Sequence, residues 1–281
     1  MALFRRLFWS ALTVALLVGS VQTVVHQWWA VPIILAAEAF EDQKAEPAAP
    51  VTAQAAVPDA HSAHDHAATL QSQGEGTAEA WTPADGAERT FWTWVANVLH
   101  ALSMALLALA VMGVWVWRRG AVRSPLLLAT AVAAAGWLSL YQWPALGLPA
   151  EIPGMDAARL GSRQGWWALG AVCAAAACAV VAFRRRGWRF GVAAVLLAVP
   201  FLWGAPHITA DPLAGFSGEA HRQLQQLDGQ FVQAAGWIAV TFWVCMALAC
   251  GAVFGRWLQP LLVGAGSLPA STDATLARGA S

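Results

Sequence analysis

The chain has 281 residues, of which 58% are hydrophobic and only 11% charged. Soluble globular chains carry about 25% charged residues, so this composition cannot clothe a water-facing surface of that size. The net charge of zero excludes a generally basic nucleic-acid binder, and 17 Trp against one Tyr suit indoles placed at membrane interfaces.

A membrane-crossing helix needs about 20 mostly apolar residues. Stretches 7–37, 93–117, 125–146, 166–183, 190–205 and 231–257 reach or approach that length. The expected fold is therefore all-α: a polytopic membrane helix bundle with six transmembrane helices. Residues 1–37 read as a signal-anchor-like first helix. Arg5 and Arg6, the apolar run and Ala37-Glu38-Ala39 also imitate a signal peptide, whose cleavage would leave five helices. The run is longer than a usual signal core and contains Gln22 and His26. Residues 38–92 form an outer acidic, His-containing loop, expected to be disordered in its middle because it has no apolar periodicity. A five-helix membrane region, 93–257, follows. Its 190–205 span is the shortest and carries Pro200. Residues 258–281 read as a flexible cytoplasmic tail.

Alternating six spans sorts the charges onto two faces. Arg5, Arg6, Arg118, Arg119, Arg123, Arg184, Arg185, Arg186, Arg189, Arg256 and Arg278 fall on one side. Lys44, Arg89, Arg159, Arg163 and Arg222 fall on the other, with every acid except Asp273. Cytoplasmic loops carry the excess of Lys and Arg, so both termini are expected in the cytoplasm. Cys173, Cys178, Cys245 and Cys250 lie inside spans, five residues apart in each pair and without a C-x-x-C motif. They read as small packing residues rather than a disulfide or redox pair.

The outer loop holds His61, His64, Asp65 and His66, three imidazoles and a carboxylate in one flexible run. Such nitrogen and oxygen donors suit divalent cobalt, nickel, copper or zinc. The bland alternative is a solvated linker. Within the membrane, polar side chains are costly and usually face a pathway or a partner. Gln22 and His26, four apart, share a face of the first span, and Asn97, His100 and Met104 share a face of the second. Both histidines fall in the outer half, where an arriving ion first sheds water. Interhelical hydrogen bonding is the competing explanation. The segment from Gln142 to Met155 carries Pro144, Pro149 and Pro153. It reads either as a re-entrant segment whose Glu151 and Met155 serve an ion or as an interfacial loop. Phosphate-loop, H-E-x-x-H and G-x-S-x-G motifs are all missing, so the chain reads as a non-enzyme with no tightly bound cofactor.

Several ordered runs resemble the predicted cobalt transporter subunit family CbtA of bacteria. They include Gln27-Trp28-Trp29-Ala30-Val31-Pro32-Ile33-Ile34, then Ala80-Trp81-Thr82-Pro83-Ala84-Asp85-Gly86-Ala87-Glu88-Arg89-Thr90. The most specific is Pro144-Ala145-Leu146-Gly147-Leu148-Pro149-Ala150-Glu151-Ile152-Pro153-Gly154-Met155, followed by Arg163-Gln164-Gly165-Trp166-Trp167 and Gly204-Ala205-Pro206. The resemblance implies cobalt uptake at the bacterial inner membrane, linked to cobalamin synthesis. It also implies a companion, CbtB, a very small single-span protein with a histidine motif.

The expected function is thus transport of Co2+, or of Ni2+. The outer His/Asp run would gather the ion, and His26, His100, Asn97 and Met104 would form a transient site. A non-transporting sensor, a scaffold or an accessory subunit is the alternative.

Overall fold

The computed structural model describes residues 2–40, 44, 83–84 and 86–266. Its regular structure is entirely helical there. The helices are α1 (Ala2–Trp29), α2 (Val31–Glu38), α3 (Ala87–Arg119), α4 (Pro125–Trp137), α5 (Trp143–Ala145), α6 (Leu160–Phe183), α7 (Trp188–Trp203), α8 (Gly218–Val253) and α9 (Gln259–Gly266). Five continuous helical stretches are long and apolar enough to cross a membrane: 3–29, 87–119, 125–145, 160–183 and 218–263. The bundle also turns apolar side chains such as Leu107, Val172, Leu202 and Val244 outward, a face that only lipid satisfies. The chain is an all-α polytopic membrane protein.

The boundaries differ from the sequence reading where proline or a second core intervenes. The first apolar run is two helices, broken at Ala30 because Pro32 lacks the N–H an unbroken helix would need. Helices α4 and α5 are joined by a π turn, Leu138–Gln142, immediately before Pro144. A second π turn, Phe254–Leu258, joins α8 to α9 immediately before Pro260. In both places the widened ladder accommodates a residue with no hydrogen to donate. Residues 259–266, expected within the loose tail, are therefore helical: α9 docks Leu262 on the main core, and the Gln259 side chain donates to the Val122 carbonyl at 2.9 Å. Helix α7, of 16 residues, is about 24 Å long, short of the roughly 30 Å hydrocarbon core.

Helices α1, α3, α4 and α8 share one core, built from Val14, Val18, Leu109, Met112, Phe242, Met246 and Phe254 among others. Small residues let α1 and α3 pack tightly: a Cβ on Gly19 would lie 2.7 Å from the Val98 Cα. Helices α6 and α7 form a hairpin beside this core, touching it mainly through α5 and the preceding π turn. Trp143 and Trp166 donate their indole N–H groups to the α7 carbonyls of Leu197 and Pro200, at 3.2 and 2.9 Å. Cys173 and Cys250 are buried and all four cysteines are free.

A second, smaller core caps the acidic end. Ala37 of α2, Ile152, Leu213, Phe216 and Leu224 are buried together, flanked by Ile33, Phe40, Met155, Leu227 and Phe231. The proline-rich segment thus enters this cap: Ile152 and Met155 are packing residues, and Glu151 pairs with Arg163 at 2.6 Å. Helix α8 begins 13 residues before its expected start, because Leu224, Leu227 and Phe231 recur at helical spacing and bury against the cap.

Candidate intramembrane metal site

Helices α1 and α3 run antiparallel, and a ladder of polar contacts fixes their register in the half of the bundle nearer the cap. Gly19 abuts Val98, and Gln27 donates to Thr90 at 3.1 Å. Between these points Trp94 donates to Ser20 at 3.0 Å and Asn97 donates to Thr23 at 3.1 Å. Thr23 in turn donates to the Gly19 carbonyl at 2.8 Å. The Arg89–Glu38 ion pair, 2.7 Å, closes the outer end. Each of these side chains would be costly in hydrocarbon and is satisfied across the helix pair.

Gln22 and His26 sit on the side of α1 that faces α8. The Gln22 amide nitrogen donates to His26 Nε2 at 3.3 Å and reaches the Ile238 carbonyl of α8 at 3.4 Å. An imidazole nitrogen accepting this bond presents the lone pair that a metal ion would take. His100 on α3 leans against the Phe242 ring of α8, with 5.0 Å between ring centroids. Both imidazoles therefore border α8, His26 half-buried and His100 exposed at the edge of the seam where α1, α3 and α8 meet.

The register also sets their spacing. With Gln27 beside Thr90, His26 is level with about Phe91, nine residues before His100. That is roughly 13 Å between backbone levels at 1.5 Å per residue. Side chains lean toward their own helix N-terminus, so on antiparallel helices the two rings lean toward each other and narrow the gap. The arrangement is two imidazole stations in sequence along the seam.

Among the other expected site residues, Asn97 is buried with its amide nitrogen held by Thr23. Met104 lies one turn deeper, half-buried against the main core. His61, His64, Asp65 and His66 lie outside the described residues. Among the described residues no group of three or more His, Cys, Asp and Glu is placed to hold a metal ion. Each station therefore offers one imidazole: His26 has the Gln22 amide beside it, and His100 has the Phe242 ring.

One polar residue nearer the start of α8 escaped the sequence reading. Asp228 is half-buried on α8, and its Oδ1 is buried without a hydrogen-bond partner. It precedes Phe242 by two heptads and so shares its stripe of α8, about 15 Å outward of Ile238. The available signal was its seven-residue spacing to Ala235 and Phe242. It was hidden because the apolar run begins only at Phe231.

The fold is that of a polytopic helical membrane protein with polar and imidazole side chains between helices near its cap. The family model described as "Probable cobalt transporter subunit (CbtA)" matches residues 4–255, and the chain belongs to that family. No curated protein and no solved structure matches it. The family description is that of a transporter subunit rather than an enzyme, and it carries the cobalt and membrane character expected from the sequence.

Proposed function

We propose that this chain is the multi-pass subunit through which Co2+ crosses the bacterial inner membrane into the cytoplasm, in the service of cobalamin synthesis. The observation that carries the reading is the pair of imidazoles, His26 and His100, presented by different helices to one seam. Imidazole and carboxylate ligands suit cobalt(II), with nickel(II) the nearest alternative. The acidic outer face concentrates cations, and the outer run His61, His64, Asp65 and His66 gathers them. Asp228 receives the ion at the cap, and His26 and then His100 carry it inward. One strong ligand per station keeps binding weak enough for release. An inside-negative potential assists entry by about 2.3 kcal/mol per charge per 100 mV, so no nucleotide is needed.

The proposed topology has six spans and both termini cytoplasmic, with α7 as the short fifth crossing. Mismatch at a short helix is met by local thinning of the bilayer. The family description calls the protein a subunit, and a small single-span CbtB-like chain bearing histidines would supply the ligands that complete coordination. His100, exposed on α3, is the group such a helix would meet.

A non-transporting sensor or accessory role is favoured by one observation, the lack of a three-ligand group among the described residues. Radiocobalt uptake into liposomes containing the purified chain, with and without the small partner, separates the readings. Potential-driven accumulation, strongest with the partner present, is expected. Cobalt binding without accumulation in either preparation would overturn the transport reading.

A further inference from the structure

At the basic end of the bundle, opposite the cap, α3 and α6 do not close against each other. They leave a cleft of about 780 Å³ whose mouth carries Arg118, Arg119 and Arg184 and whose deeper wall is Ala179, Val180 and Phe183. Two of the guanidiniums are held in place by contacts that carry no negative charge. Arg118 lies over the Phe183 ring at 5.9 Å, Arg119 lies over the Trp115 ring at 5.3 Å, and Arg119 donates to the Phe183 carbonyl at 3.3 Å. Every ion pair among the described residues lies at the opposite, acidic end. Three positive charges therefore border one cavity with no carboxylate of the described residues beside them.

We propose that this cleft binds the headgroup of an anionic phospholipid. The phosphodiester would sit among Arg118, Arg119 and Arg184, and one acyl chain would run along Ala179 and Val180. The cleft grades from cationic to apolar toward the membrane interior, which is the profile of a lipid rather than of a dissolved anion. Arginine suits the task because its planar fork grips phosphate oxygens in pairs, and basic pockets between transmembrane helices serve this role. A bound lipid would bridge α3 to the α6–α7 hairpin, which meets the main core mostly through α5 and the preceding π turn. The inference does not depend on which ion the protein moves.

The test uses the purified full-length chain in detergent, with lipid binding measured by native mass spectrometry. The probes are dioleoylphosphatidylglycerol, dioleoylphosphatidylcholine and inorganic phosphate. Phosphatidylglycerol is expected to be retained, phosphatidylcholine to wash away, and inorganic phosphate to displace neither. Each arginine near a membrane surface accounts for about fivefold in affinity for anionic lipid. Arg184→Gln should therefore weaken phosphatidylglycerol binding about fivefold, and the Arg118→Gln/Arg119→Gln pair about twentyfold. Arg123→Gln, outside the cleft, should change it less than about twofold. Arg184 has no side-chain hydrogen bond to lose, so its variant remains informative if the double variant does not fold. Equal retention of the two lipids, displacement by inorganic phosphate, or wild-type binding by Arg184→Gln would each overturn the proposal.

Discussion

At the acidic end of the bundle Lys44, Arg89, Arg163 and Arg222 each stand beside a carboxylate. At the basic end Arg118, Arg119 and Arg189 turn to carbonyl oxygens and aromatic rings. The difference follows from where the acids are, since every described Asp and Glu lies toward the cap. Outer cations are thereby absorbed into architecture: they fasten α3 to α2, α6 to the proline-rich segment, and Lys44 to the Gly154 carbonyl and Asp156. Under the proposed function, the acids of that face would draw metal ions. The cations of the basic end have no carboxylate partner among the described residues, and in the proposed lipid site they would meet phosphate.

The most damaging way to break this contrast is to disturb the seam that the outer face feeds. Gly19→Ala places a methyl group 2.7 Å from the Val98 backbone. Overpacking of this kind costs about 1–3 kcal/mol, and we expect the upper part of that range in thermal unfolding, with cobalt uptake reduced in parallel. Next comes Glu151→Gln, which leaves a part-buried Arg163 without its carboxylate. It should destabilise by about 1–2 kcal/mol, between the values for exposed and buried pairs. Asp228→Asn removes one charge from the entry stripe. It should raise the cobalt concentration for half-maximal uptake about threefold while leaving stability nearly unchanged. The smallest effect belongs to Arg185→Gln at the inner end, expected within about 0.5 kcal/mol of wild type because no partner is lost. Glu151→Gln and Arg185→Gln having equal effects on unfolding would erase the distinction between the two ends.

Much of the bundle was legible in the sequence because apolar runs of fixed length report lipid exposure directly. The third and fourth runs, 125–146 and 166–183, end within a residue of the helices that form. What escaped was whatever depended on tertiary burial. Leu224, Leu227 and Phe231 are too few and too interleaved with polar residues to register as a span, so the cap and the extension of α8 went unread. The two π turns depend on Pro144 and Pro260 meeting a helix that neighbours hold in place, and residue type alone does not show that a helix continues past a proline. For the candidate site, spacing alone placed Gln22 with His26 and Asn97 with His100. It could not tell that Asn97 would be tied to Thr23, or that α8 would supply Phe242 and the Ile238 carbonyl as the third wall.

The proposed route takes cobalt past His26 and then His100 along the seam of α1, α3 and α8. It is tested most directly by radiocobalt uptake into liposomes containing the chain and its small partner, comparing wild type with His26→Ala and His100→Ala. Loss of groups that tune or ligate a metal costs about 10–100-fold in affinity. Each variant should therefore raise the half-saturating cobalt concentration by at least about tenfold while the protein stays folded. Uptake at wild-type affinity by both folded variants would contradict the account and move the pathway elsewhere in the bundle.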